Sequence, residues 1–151
     1  MTQLSDLYNA RIMELAAAIP RTTRLLSPDA TATAHSKLCG STITVDLVLR
    51  DGRIVAFGQN VRACLLGQAS ASVVGREIIG ATPDEFAAVA ADMRAMLRDG
   101  SRAPSGKWAD LAVLAPVRAV KARHASTLLV FDGVEKALAA IAEQREAAAA
   151  S

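Results

Sequence analysis

A chain of 151 residues and 15.8 kDa, 52% apolar and 21% charged, has the size of one domain and enough apolar side chain to fill one core. Its 17 Lys and Arg against 15 Asp and Glu leave a net charge of +2, scattered rather than gathered into a basic stripe beside aromatics, which argues against a nucleic-acid partner. Asp6 and Glu14 interrupt the early apolar stretch and no run of ~18 apolar residues is free of charge, so the expectation is one cytoplasmic domain over 1–151, with neither signal peptide nor membrane span.

In chain order, Leu4, Leu7, Tyr8, Ile12 and Leu15 recur at helical spacing before Pro20, which predicts an amphipathic first helix. From Ala30 the texture changes to β-branched residues alternating with polar ones. Ile43, Val45, Leu47 and Leu49 share one face and Thr42, Thr44 and Asp46 the other, as in a half-buried antiparallel strand. Asp51-Gly52 supplies the tight turn of a hairpin whose return strand runs from Ile54 to Val61, and 30–37 is a plausible third strand.

After Cys64 the pattern turns helical. The small residues Ala69, Ser70, Ala71 and Ser72 suit close packing on a sheet, and Gly80 is expected to end that helix. Thr82-Pro83-Asp84-Glu85 reads as a capping box with proline at the first helical position, followed by Phe86, Val89, Ala90, Met93 and Leu97 on one stripe. Residues 99–107 read as loop, a short helix follows around Leu111, Val113 and Leu114, and a long last helix carries Phe131, Val134, Leu138 and Ile141 before an Ala-rich tail expected to fray from about 143. Trp108, Met93 and Met96 are expected in the core or as loop anchors. Strands first and helices after, without β–α alternation, predict an α+β fold with a three-stranded antiparallel sheet packed by helices.

The two cysteines occupy suggestive places. Cys39 stands before one strand, and Cys64 stands where the hairpin ends and a helix begins; in a meander those points can lie side by side. A helix N-terminus also favours a thiolate at Cys64. Reduced thiols rather than a disulfide are expected in the cytoplasm. No acid, base and nucleophile cluster stands beside them, so the chain is not expected to be an enzyme.

Cys39-Gly40-Ser41, Ile54 ten residues before Cys64, the run Ala69 to Ser72 just after it, His35 ahead of Leu38-Cys39-Gly40, Leu7-Tyr8, and Arg123 to Phe131 together resemble the iron–sulfur cluster scaffold family of IscU, SufU and the NifU N-terminal domain, over nearly the whole chain. The resemblance implies the SufE/NifU-like fold, a transient iron–sulfur cluster or zinc as cargo, and a cysteine desulfurase and recipient apoproteins as partners; it leaves homodimerisation open. The ligand set is eroded: Ser41 stands at the family's Asp and Ser126 at its third Cys, Val61 and Ala63 stand where glycines are usual, and Gly67 replaces a Ser. The ligand set this suggests is Cys39, Cys64 and His124, with water, His35 or a hydroxyl completing a tetrahedral site that is often empty as purified. For both histidines a surface or capping role is the competing reading. A sulfur acceptor or desulfurase-docking protein of the same fold that holds no cluster is the alternative function, and a relative keeping only structural thiols a third.

Overall fold

The computed structural model describes residues 9–150; the expected contributions of Leu4, Leu7 and Tyr8 lie outside them. Helix α1, Ala10–Ala17, starts where Asn9 Oδ1 accepts a hydrogen bond from the Ile12 amide at 3.0 Å, and buries Ile12, Leu15 and Ala16. The three strands β1 (Ala30–His35), β2 (Thr42–Arg50) and β3 (Arg53–Arg62) form one antiparallel sheet in the order β1-β2-β3. Asp51 and Gly52 turn the hairpin with φ of +52° and +75°, the left-handed pair that a two-residue connection needs.

The inner face of the sheet carries Ile43, Val45, Leu47 and Leu49, all buried, as the alternation predicts. The opposite face departs from the simple alternation. Asp46 stands on it as expected, yet is fully buried, because the segment between Pro20 and Ala30 crosses this face as a strap. Arg24 Nε donates to Asp46 Oδ2 at 2.6 Å and Arg24 Nη2 to Oδ1 at 3.0 Å, while the Leu25 amide and the Thr31 hydroxyl donate to the same carboxylate. Desolvation alone would raise the Asp46 pKa, but these four donors outweigh it and hold the carboxyl below its usual value. The strap passes so close that a Cβ on Gly58 would stand 2.5 Å from the Thr23 carbonyl oxygen.

Helix α2, Leu65–Glu77, is buried continuously from Ala69 to Gly75 and packs against α1, β3 and the last helix. It ends before Gly80, which instead sits in the following turn at φ +92°. Helix α3, Pro83–Asp99, has the predicted capping box: Thr82 Oγ1 accepts from the Glu85 amide and Glu85 Oε2 from the Thr82 amide. Gly100, at φ +72°, closes it.

Where a short helix was expected, the chain runs as consecutive 3₁₀ turns over Gly106–Ala119 and again over Lys121–Arg123. Trp108, Leu111, Leu114 and Val117 are its buried residues, spaced by three, which is the period of a 3₁₀ helix and not that of an α-helix. The last helix, α4, spans His124–Ala150. The tail expected to fray from about 143 is helical: alanine favours the helix, and Arg145 Nη2 donates to the Leu49 carbonyl at 2.9 Å. Phe86 stacks on Phe131 with centroids 5.7 Å apart and meets Trp108 edge-on at 6.0 Å, tying α3, α4 and the 3₁₀ segment into one core. No helix among the described residues is long and apolar enough to cross a membrane.

Candidate metal and sulfur site

The open end of the sheet, away from the Asp51-Gly52 turn, is where β1 stops, β2 starts, β3 stops and α2 starts. The β1–β2 connection is closed by two backbone hydrogen bonds, Ser36 N to Ser41 O at 2.8 Å and Gly40 N to Ser36 O at 2.9 Å. Gly40 takes φ +72° with open space around it, and this bend carries Cys39 outward, exposed to solvent. Cys39 Sγ lies 3.4 Å from Ser36 Oγ and 3.0 Å from Ser41 Oγ.

Cys64 caps the N-terminus of α2 and is half-buried. Its sulfur makes no capping hydrogen bond and instead lies 3.4 Å from Ser126 Oγ. Ser126, fully buried in the first turn of α4, donates to the Arg123 carbonyl at 3.2 Å. Cys64 thus meets a buried hydroxyl 62 residues away in sequence, and the pairing of Thr42 with Arg62 puts the Cys39 bend and Cys64 at the same end of the sheet.

Gly67 makes this possible. A Cβ there would stand 2.8 Å from the Ser126 carbonyl oxygen and 2.8 Å from the Ala63 Cβ, so any side chain would force Ala63 or the first turn of α4 to shift. The departure at position 67 is thus matched to the position of Ser126.

The pKa of the Cys39 thiol is lowered to about 7, chiefly by hydrogen bonding with the Ser36 hydroxyl and then with the Ser41 hydroxyl, the Ser41 amide adding to it against a desolvation cost. Ser36 escaped the sequence reading, although the spacing Ser36, Cys39, Ser41 around a glycine bend is the signal that could have found it.

The two histidines are not brought to the thiols. His124 and Ser126, two residues apart on a helix, point about 200° apart around its axis. His124 Nε2 donates to the carbonyls of Val117 and Arg118, at 3.0 and 3.1 Å, and lines a separate cavity of about 890 Å³ with Arg98, Pro116, Arg118 and Lys121 among others. His35 pairs with Thr42 across the sheet and its Nδ1 is 3.1 Å from Thr42 Oγ1, on the face opposite Ser41 and Ile43. Among the described residues no three His, Cys, Asp or Glu side chains gather where they could hold a metal ion. The site consists of two thiols and three hydroxyls.

Comparison with solved structures gives strong matches. A nitrogen-fixing NifU-like protein (N-terminal) from Brucella abortus is 51% identical, with a TM-score of 0.91 over 93% of this chain and 97% of that one. A putative iron–sulfur cluster assembly scaffold protein for the SUF system from Fervidobacterium islandicum is 20% identical, with a TM-score of 0.82 over 90% of this chain and 99% of that one. A hypothetical protein, 19% identical over 86% of this chain and 98% of its own, shares the fold with a TM-score of 0.74. No protein-family model matches the chain, and neither does any curated protein.

Proposed function

Since the chain belongs to the NifU-like N-terminal family, we propose that it serves iron–sulfur cluster assembly as a scaffold or carrier whose cargo is held by Cys39 and Cys64. What supports this reading is that both thiols stand at the open end of the sheet, Cys39 exposed beside Ser36 and Ser41 and Cys64 against Ser126. Thiolates are the ligands that iron–sulfur clusters and zinc require, and neutral hydroxyls are poor substitutes for them. Ser41 and Ser126 therefore line the site and leave coordination positions for the partner protein, water or exogenous thiols. A two-thiolate holder binds weakly and releases readily, which suits passage of cargo from a cysteine desulfurase to a recipient apoprotein more than storage.

A second reading, a sulfur acceptor without a cluster, is favoured by the exposed and acidic Cys39. In that step the Cys39 thiolate attacks the outer sulfur of a donor persulfide, a new sulfur–sulfur bond forms at Cys39, the donor's bond breaks, and the donor cysteine leaves as thiolate.

Anaerobic reconstitution with ferrous iron, cysteine and a cysteine desulfurase separates the two. Cargo holding predicts visible charge-transfer absorption with equal iron and acid-labile sulfide, lost in both Cys39→Ala and Cys64→Ala. A persulfide on Cys39 by mass spectrometry, without bound iron and unaffected by Cys64→Ala, would instead establish the acceptor role.

A further inference from the structure

Cations accompany this site along each segment that builds it. Lys37 stands two residues before Cys39, Arg62 two before Cys64, and Arg123 three before Ser126, so each chain segment that delivers a site residue delivers a cation with it. Arg62 ends β3 opposite Thr42, beside the Cys39 loop, and the Arg123 carbonyl is the acceptor for Ser126. Lys37 and Arg62 are exposed and Arg123 half-buried.

None of the three makes an ion pair among the described residues, in which they resemble Arg21, Arg102, Lys107, Arg118, Lys121 and Lys136 and differ from Arg11, Arg24, Arg50, Arg53, Arg76, Arg94, Arg98 and Arg145. Residues 30–45, 52–76 and 111–131, the stretches that hold Lys37, Arg62 and Arg123, contain no Asp or Glu. The three cations therefore have no acidic residue within their own segments, and Leu38, next to Lys37, is 77% exposed. Such a surface costs self-repulsion and is favourable only when an anionic surface covers it.

We infer that Lys37, Arg62 and Arg123 form a cationic rim that docks an acidic protein face over Cys39, so that the protein exchanging sulfur or cluster with this site presents carboxylates around its own reactive group. This names the partner surface for the site proposed above and rests on that reading, but its test reads charge preference at the thiol whatever the cargo.

The probe is an acetylated, amidated peptide of one cysteine flanked by four glutamates, the cysteine carried as a pyridyl disulfide, beside analogues with serine or lysine in place of glutamate. The Cys39 thiolate attacks the peptide sulfur, the peptide–pyridyl bond breaks, and pyridine-2-thione leaves with the electron pair and a proton; its absorbance gives the rate, and mass spectrometry locates the label. Dividing each rate by that of the serine peptide on the same variant removes any change in thiolate fraction.

The expected preference for the glutamate peptide over the serine one is roughly tenfold at ~0.01 M ionic strength and near unity at ~1 M, where screening acts within about 3 Å. The lysine peptide should show the reverse. Lys37→Glu and Arg62→Glu, both at exposed positions, should each abolish most of the preference, and Arg123→Gln should reduce it. Equal rates for the three peptides at low salt, or a preference unchanged in Lys37→Glu and Arg62→Glu proteins of wild-type circular dichroism, would overturn the inference. So would a preference shown by a small dianionic aromatic disulfide but not by the glutamate peptide, which would mean that the field selects free anions rather than a docked acidic face.

Discussion

At the Asp51-Gly52 end of the sheet, Arg50 pairs with Asp29 at 2.8 Å, Arg53 donates to the Gly80 carbonyl and approaches Glu85 at 3.9 Å, and Arg145 reaches Leu49 and Asp29. At the other end of the same strands the cations have no such partners and the polar groups are thiols and hydroxyls. The first end, with the strap over the outer face, spends its polar groups on holding the fold; the second leaves them available for chemistry. Stability and reactivity are therefore separable here, and substitutions at the two ends should move different observables.

The largest stability effect is expected at Asp46. Asp46→Ala leaves the Leu25 amide and the Thr31 hydroxyl without their acceptor and frees the strap, costing about 2–3 kcal/mol. Urea unfolding should record that loss while the alkylation profile of Cys39 stays in place. A shifted Cys39 profile would show that the two ends are coupled after all.

Gly67→Ala should act on both observables, because it sits where the core meets the site. The methyl must displace either Ala63 or the first turn of α4, for about 1–3 kcal/mol, and should draw Ser126 away from Cys64. Loss of stability without any change in metal affinity would mean that α4 moves as a unit with its contacts intact.

At the site itself, Ser126→Cys adds a third thiolate at a buried position against Cys64. Zinc affinity, measured by competition with a chromogenic chelator, should rise by at least about tenfold with little change in stability. His124→Ala should leave that affinity unchanged, since the imidazole is committed to the Val117 and Arg118 carbonyls.

The smallest effect concerns protons. The hydroxyls of Ser36 and Ser41 stabilise the charged form of Cys39, so removing either raises its pKa from about 7 towards the ordinary thiol range, Ser36→Ala more than Ser41→Ala. Ser41→Asp should also raise it, since a carboxylate beside a thiolate disfavours the second negative charge. The pH dependence of iodoacetamide labelling gives each midpoint, and an unchanged midpoint in Ser36→Ala would contradict the assignment of cause.

Much of this was legible in the residues. The alternation from Ile43 to Leu49, the Asp51-Gly52 turn and the Thr82 to Glu85 box carry their own local physics, and the structure has each of them. The match of Ser126 to a ligand position rested on resemblance, and the structure sets its hydroxyl against Cys64. What stayed hidden depends on long-range packing: the burial of Asp46 needs the strap, the role of Gly67 needs α4, and the orientation of His124 needs the helix start, which turns it away from Ser126. The 3₁₀ segment was legible in principle, since Trp108, Leu111, Leu114 and Val117 are three apart, a period the helical template passes over.

The account's central claim is that Cys39 and Cys64 act on one ion. Anaerobic titration with cobalt(II), followed by the sulfur-to-cobalt charge-transfer absorption, tests it most directly, because that intensity scales with the number of bound thiolates. Wild type should show the intensity of two thiolates at one cobalt per chain, and Cys39→Ala and Cys64→Ala should each bind more weakly with about half of it. Full wild-type intensity in either single variant, or additive independent binding by the two cysteines, would contradict the claim.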